Sequence, residues 1–379
     1  MLLASIFAIS PFAIDTYLPA ITSIATDLAV DAEWVSMTVS LYVFGLAFGQ
    51  LSGGPLSDKH GRRNIMLVGL AVFAIGSMLL ATANNIEQLW IYRVIQAFGG
   101  GITAVCVPAI IRDHVSGAQA AKLFSLIALI MMLAPAIAPS IGSLILTFVD
   151  WHGIFVFLTL FACILAFTIV KMLPNIQATN RTSQNKTTYW KIFKHPQALK
   201  FLIAQACGYS VLLIFLTNAP LIYMTNFSLS SSQFSMLFSL TIVFIIITNR
   251  INAWLLNRYT PQTLLKMFFV LQFIGGLVFL LSAWQFNHNL VMVFIAFTIS
   301  VSAISGMGPN SQACFLHYFP EHAGRASAAL GFSQYACGAL VSATVSALYN
   351  QSFWPVSIAI CLLATISLLV LNLKWQLTN

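Results

Sequence analysis

Runs of apolar residues long enough to cross a bilayer follow one another along the whole chain, separated by short polar connections. From Asn64 to Asn84, for example, no residue is charged. A membrane-crossing helix needs roughly 20 apolar residues. The runs are continuously apolar, whereas barrel strands alternate apolar and polar residues with a period of two. Only helices and closed barrels satisfy their backbone groups in lipid, so these runs predict helices. Only 7% of the 379 residues are charged and 59% are hydrophobic, against about 25% charged in a soluble domain. The fold class is therefore an all-α membrane protein. Twelve spans are expected, near residues 1–26, 34–53, 65–83, 88–111, 122–147, 153–171, 199–222, 233–249, 263–284, 290–311, 326–348 and 355–373.

The net charge of +8 reads as topology rather than as a nucleic-acid surface, because the cations sit between the spans. With the N-terminus placed inside, every Lys and Arg except Arg93 falls on the cytoplasmic side. Asp27, Asp31, Glu33, Glu87 and Asp150 fall outside. This asymmetry predicts a multi-pass protein with an even number of spans and both termini in the cytoplasm. The start lacks the charged region and cleavage site of a signal peptide. The chain enters its first span almost at Met1, so an upstream start is expected. The six cysteines lie in or beside apolar runs without metal-ligand spacing. They read as packing residues, with no metal site, no disulfide and no cofactor other than the proton expected.

The longest polar stretch, residues 172–198, separates six spans from six. It divides the chain into an N-terminal six-helix half, 1–171, a cytoplasmic linker, 172–198, and a C-terminal half, 199–379. A short charged stretch, Gly54-Pro55-Leu56-Ser57-Asp58-Lys59-His60-Gly61-Arg62-Arg63, joins spans two and three. After span eight, residues 249–259 keep cations at Arg250 and Arg258 but lack the Gly and Asp, as a degenerate repeat would. Two pseudo-symmetric six-helix halves are thus expected.

Three polar features inside the apolar runs carry chemistry. Asp15 is the only acid within a span. An ionised carboxylate in hydrocarbon is costly, which favours a carboxyl that takes up and gives off a proton. The bland alternative is a permanent pair with a cation, or a cap on the turn broken by Pro19. Arg93 is the only cation inside a span away from its cytoplasmic end. It always carries charge, so it needs a partner or a wet cavity, or else reaches for the outer surface. Close to Asp15 it would draw off the proton, and apart it would let the acid regain it. Gln96 follows one turn later on the same face and either binds substrate or supports Arg93. In the 54–63 stretch, Gly54 and Gly61 permit tight turns. Asp58 can bridge to cations, Arg112 among them, while Arg62 and Arg63 can hold helix ends or acidic lipid. Together they would form a conformational latch.

Span five carries Pro135, Pro139 and Gly142 among small residues, which predicts a bent, closely packed helix. The second half has no acid in a span. Its polar groups there are amides and hydroxyls, among them Asn218, Tyr223 and Asn310. With Tyr17, Tyr42 and Gln96 from the first half, these are the candidate substrate contacts. With 30 phenylalanines in the chain, the expected cavity is apolar, aromatic and lightly polar.

These residues together resemble the Major Facilitator Superfamily, and within it the twelve-span drug:proton antiporters of the bicyclomycin-resistance (Bcr/CflA) branch. The resemblance rests on Asp15-Thr16-Tyr17-Leu18-Pro19, the 54–63 stretch, Arg93 with Gln96, Ala138-Pro139 with Gly142, and Pro320-Glu321-His322-Ala323-Gly324-Arg325-Ala326-Ser327. It implies export of small amphipathic drugs of the bicyclomycin or chloramphenicol type, as a monomer, in exchange for protons. Asp15 and Arg93 would be the coupling residues, and Pro135, Pro139 and Gly142 the antiporter helix. Span five departs from the group: Ala-Pro-Ser-Ile-Gly-Ser stands where many members have a Gly-Pro and a terminal Gly-Gly pair. Proton-coupled export or symport of one metabolite is the alternative on the same fold. No metal motif or Ser/His pair occurs in a span, so an enzyme is not expected.

Overall fold

The computed structural model describes residues 2–114, 117–172, 192–284, 289–319 and 323–373. Within those ranges the side chains of 4, 112–126, 128, 129, 132 and 323–325 lie outside the described set, and so does most of the 172–198 linker. Eleven described helices are long and apolar enough to cross a membrane, and an additional apolar helical stretch runs over Leu133–Phe148. The chain divides into two compact units. Unit 1 comprises Met1–Thr182 with Leu229–Ser239, and unit 2 comprises Ser183–Ser228 with Leu240–Asn379.

Span one is not the continuous helix expected from residues 1–26. It is built from α1 (Leu2–Phe7), α2 (Ile9–Asp15), a 3₁₀ turn (Leu18–Ala20) and α3 (Ile21–Asp27). The two breaks follow from two prolines. A proline lacks the N–H that would bond the carbonyl four residues back. Pro11 leaves Phe7 without its partner and Pro19 leaves Asp15 without one, and these are the last residues of α1 and α2.

The helices α4 (Ala32–His60), α5 (Arg62–Leu80) and α6 (Ile86–His114) follow. The charged connection after span two is also shorter than expected. α4 continues through it to His60, and Gly61 alone, at φ 89°, turns the chain into α5. That backbone region is closed to most side chains. Small residues let α6 pack between α4 and α5. A Cβ at Gly49 would lie 2.2 Å from the Phe98 carbonyl, and one at Gly99 would lie 2.4 Å from the Phe73 nitrogen. Close backbone approach of this kind replaces the hydrophobic drive that lipid cannot supply.

α7 (Gly117–Phe148) contains Pro135 and Pro139 and packs on span one, and α8 (His152–Met172) packs on α5. Unit 1 also includes the start of the helix Ser231–Leu255. Three serines one turn apart on it bond to unit 1 backbone. Ser231 Oγ donates to the Pro19 carbonyl at 3.1 Å, Ser235 Oγ to Pro139 at 3.0 Å and Ser239 Oγ to Ala136 at 2.6 Å. Ser143 Oγ returns a bond to the Ser231 carbonyl at 2.8 Å.

In unit 2, α9 (Pro196–Pro220) starts with His195 as its cap, whose ring nitrogen accepts from Ala198 N–H at 3.2 Å. Its end widens into a π turn over Leu221–Asn226, directly after Pro220. The remaining helices are α10 (Ser231–Leu255), α11 (Pro261–Trp284), α12 (Leu290–Ser302), α13 (Ile304–Leu316), α14 (Ala323–Ala347) and α15 (Trp354–Asn372). Span ten, like span one, is broken, here at Ala303 between α12 and α13. Pairings recur between units. α5 packs on α6 and α8, as α11 packs on α12 and α15. Span one packs on α7, as α9 packs on α14. This repetition is what two pseudo-symmetric six-helix halves require.

Candidate functional site

The break in span one holds Asp15 at the end of α2, with only 4% of its surface exposed. It makes no hydrogen bond or ion pair with any described residue. The turn that follows begins at Tyr17 without a side-chain cap, so the carboxyl is not spent on capping. Thr16 Oγ1 is buried beside it without a hydrogen-bond partner among the described residues, and the Ser10 and Tyr42 hydroxyls are buried against the same stretch of α6. A Cβ at Gly100 would lie 3.0 Å from Ser10 Oγ and 3.2 Å from Tyr42 Oη, so the bare glycine lets both hydroxyls sit close against α6.

Arg93, on α6, is wholly buried rather than extended to the surface. Its Nη1 donates to the Ala13 carbonyl at 3.1 Å and to Gln96 Oε1 at 2.8 Å. The guanidinium lies 3.9 Å from the Tyr17 ring centre, 5.3 Å from Tyr42 and 5.4 Å from Phe155. Desolvated cation–π contacts of this sort are each worth about 2 kcal/mol. Four elements therefore enclose one charge: α2, the span-one turn, α4 and α8. Arg93 Nε and Nη2 have no hydrogen-bond partner among the described residues. That edge is the one with which a guanidinium grips a carboxylate bidentately.

Gln96 is fully buried and both ends of its amide are engaged. Its Oε1 accepts from Arg93 Nη1, and its Nε2 donates to Ser77 Oγ at 2.8 Å. Ser77 in turn donates to the Phe73 carbonyl at 2.8 Å. This run of donors fixes the arginine. Tyr17 is held similarly, its hydroxyl 3.3 Å from the Val35 carbonyl and 3.0 Å from Thr38 Oγ1. Ser77, Thr38 and Phe155 were not singled out from sequence. Nothing distinguishes one Ser, Thr or Phe from the many others until the helices are placed.

The 54–63 residues also find partners. Arg62 pairs with Asp58 and donates to Ser57 Oγ at 2.6 Å. Arg63 donates to the Val170 carbonyl at 2.8 Å, near the end of α8. Three helices of unit 1 are thus tied at one end by the turn at Gly61. Gly54 is helical, with nothing within 4 Å of a built Cβ. The side chain of Arg112 lies outside the described residues.

On α7, Gly142 meets span one. A Cβ there would lie 2.0 Å from the Thr16 carbonyl. Pro135 and Pro139 flank carbonyls used by the serines of α10. In unit 2, Asn218 is buried and its Nδ2 donates to the Ile214 carbonyl at 3.0 Å. Tyr223 lies in the π turn with its ring 6.1 Å from Phe297. Asn310 donates to Asn252 Oδ1 at 2.8 Å, joining α13 to α10. Tyr17, Tyr42 and Gln96 thus gather at Arg93, while Asn218, Tyr223 and Asn310 lie apart along unit 2.

Broken helices, a buried acid without an ion-pair partner among the described residues, and paired helical repeats fit a multi-pass membrane transporter. The chain belongs to the Major Facilitator Superfamily, whose sequence pattern it matches over residues 3–343. It is 29% identical to the bicyclomycin resistance protein homolog of Haemophilus influenzae, over 91% of this chain and 88% of that one. It is 26% identical to a chloramphenicol resistance protein of Pseudomonas aeruginosa, covering 97% and 90%. It is also 26% identical to the multidrug resistance protein MdtL of Klebsiella pneumoniae, covering 96% and 92%. Among solved structures, a D-xylose-proton symporter superposes with TM-score 0.79 at 16% identity, covering 97% and 96%. A peptide transporter superposes with TM-score 0.77 at 15% identity, covering 97% and 93%. At these identities the structures speak for the fold.

Proposed function

We propose that this protein is a proton-driven exporter of small amphipathic compounds, of the bicyclomycin or chloramphenicol type. It acts as a monomer in a bacterial inner membrane with both termini in the cytoplasm, and it returns protons in exchange. The observation that carries this reading is Asp15: a buried carboxyl without a hydrogen-bond or ion-pair partner among the described residues, at a helix break two residues from the Ala13 carbonyl that Arg93 holds. Low dielectric penalises the ionised form there. Asp15 therefore ionises only when water, substrate or Arg93 reaches it. The names of the relatives support the drug class, since three of them are resistance proteins.

In this mechanism Asp15 takes a proton from outside and gives it up to the cytoplasm as substrate enters. The free Nε–Nη2 edge of Arg93 receives the carboxylate once the proton has left. Ala13, whose carbonyl holds Arg93, is two residues from Asp15, so a small rearrangement at the span-one break makes or breaks the pair. The contacts of Arg62 and Arg63 serve as the latch that keeps this end of unit 1 rigid while the repeats rock.

The test is proton counting in inverted vesicles. With a pH gradient imposed, addition of chloramphenicol should release protons from the lumen with wild type and not with Asp15→Asn. Release that survives the substitution would place coupling elsewhere. A folded wild type that responds to no drug in a broad panel would turn attention to a single metabolite as substrate.

A further inference from the structure

The seam between α9 and α14, wholly within unit 2, holds polar and aromatic groups that the coupling site does not use. Gln205 Nε2 donates to Gln334 Oε1 at 2.7 Å. Gln205 is only 9% exposed, and its Oε1 has no hydrogen-bond partner among the described residues. Tyr209, one turn after Gln205, and Tyr335, the residue after Gln334, meet edge to face, their rings 5.3 Å apart at 89°. Ser210 Oγ and Cys337 Sγ come next, 3.8 Å apart.

The surroundings leave this seam accessible. A Cβ at Gly331, one turn before Tyr335, would meet nothing within 4 Å. A Cβ at Gly308 on α13 would meet only Gln205 Nε2, at 3.9 Å. Every residue from Gly331 to Cys337 is half-buried, which is not the pattern of a helix with one buried and one lipid-facing side. Gln205 lies nine residues into α9, about 14 Å along the axis and near mid-membrane depth.

The chemistry of the seam narrows its ligand. Neither α9 from Gln205 to Asn218 nor α14 from Ala326 to Ala347 carries a charged residue. An ionic ligand would find no counter-charge there, and its desolvation would go uncompensated. A buried acceptor without a donor costs about 1–3 kcal/mol, and a ligand N–H or O–H removes that cost. The two tyrosine rings offer a face and an edge to a planar ring.

We propose that Gln205, Gln334, Tyr209 and Tyr335 form a ligand subsite for uncharged aromatic compounds that carry hydrogen-bond donors, with Gln205 Oε1 accepting from the ligand. The choice of probe rests on the drug-export reading, but the subsite does not depend on proton coupling.

The test is equilibrium binding to the full-length protein in nanodiscs, at one pH and without a gradient. Chloramphenicol is the neutral, donor-bearing probe, and tetraphenylphosphonium is the cationic, donor-free control. Gln205→Leu and the closer match in length Gln205→Met are compared with wild type, with thermal melting recorded for each. Chloramphenicol Kd should rise at least about tenfold in both variants. Tetraphenylphosphonium affinity and the melting temperature should change little. Unchanged chloramphenicol binding in a folded variant overturns the proposal. So does parallel loss of both probes, or the absence of saturable chloramphenicol binding by wild type. Weaker chloramphenicol binding in both Gln205 variants, together with no drug-triggered proton release from wild-type vesicles, would remove the antiport reading and leave the subsite standing.

Discussion

Gly142 of α7 faces the carbonyl of Thr16, and a Cβ at that glycine would lie 2.0 Å from the oxygen. Both belong to unit 1, and Thr16 is the residue after Asp15, in the span-one break. The contact therefore ties the position of the bent helix to the geometry of the proposed proton site. Gly142→Ala forces α7 or the break to move by about an ångström, an overpacking cost of about 1–3 kcal/mol. The expected outcome is a protein that still inserts and folds, while substrate-triggered proton release falls at least about tenfold. Ser143→Ala, which loses hydrogen bonds without adding an atom, should have a much smaller effect. Equal coupling in Gly142→Ala and wild type would separate this contact from the proton site.

Arg93 supplies a second prediction, because its partners are geometric rather than ionic. A planar guanidinium can lie 3.9 Å over Tyr17 and bond Ala13 and Gln96 at once. A lysine has a point charge and no second fork. Arg93→Lys, although it keeps the charge, should lose export nearly as fully as Arg93→Gln. Drug efflux from cells expressing each variant at matched membrane levels measures this. Retention of more than about half of wild-type efflux by the lysine variant would show that charge alone suffices.

Gln96 separates support from substrate binding. Its amide is consumed by Arg93 and Ser77. Gln96→Leu should lower the melting temperature, since a hydrogen bond to a charged group is worth about 1.5–3 kcal/mol. It should reduce the maximal transport rate and leave the KM for drug nearly unchanged. A raised KM with an unchanged maximal rate would instead put Gln96 in contact with substrate.

Much of this architecture was legible because the membrane imposes simple rules. Apolar length gave the spans, and Asp15 and Arg93 stood out as charges where charge is costly. The breaks in span one were also written in the sequence, at Pro11 and Pro19. They could not be placed until it was clear that each proline leaves the carbonyl four residues earlier unpaired. The polar connection after span two was misjudged for a different reason. Helical backbone tolerates Pro55 and the charged residues to His60, and only Gly61 has to leave the helix. The aromatic cage of Arg93 was half hidden. Tyr17 and Tyr42 could be suspected as polar aromatics, but Phe155 is one phenylalanine among 30. The Gln205–Gln334 pair was invisible, because two amides 129 positions apart become a site only when α9 meets α14.

Gly61 offers a stability test within the proposed latch. At φ 89°, a side chain is strained by about 1–2 kcal/mol. Gly61→Ala should lower the melting temperature of the purified protein, and Gly54→Ala should not, since nothing lies within 4 Å of a Cβ there. Asp58→Asn should cost less than Gly61→Ala. The Asp58–Arg62 pair is largely exposed on the Asp side, and exposed pairs contribute about 0–1 kcal/mol. A Gly54→Ala variant that melts as low as Gly61→Ala would contradict the backbone argument.

The last prediction concerns the energy source. One proton exchanged for a neutral drug moves one net charge inward. Across about 150 mV that is worth roughly 3.4 kcal/mol, or near a 300-fold concentration ratio. A monovalent cation exchanged for one proton moves no net charge and draws on the pH gradient alone. With Asp15 the single acid within a span, a one-proton cycle is expected. Collapsing the membrane potential with valinomycin and potassium, at constant pH difference, should therefore slow export of chloramphenicol strongly and export of a monovalent cation little. Strong slowing of the cation's export as well would require a second coupled proton, and with it a proton carrier other than Asp15.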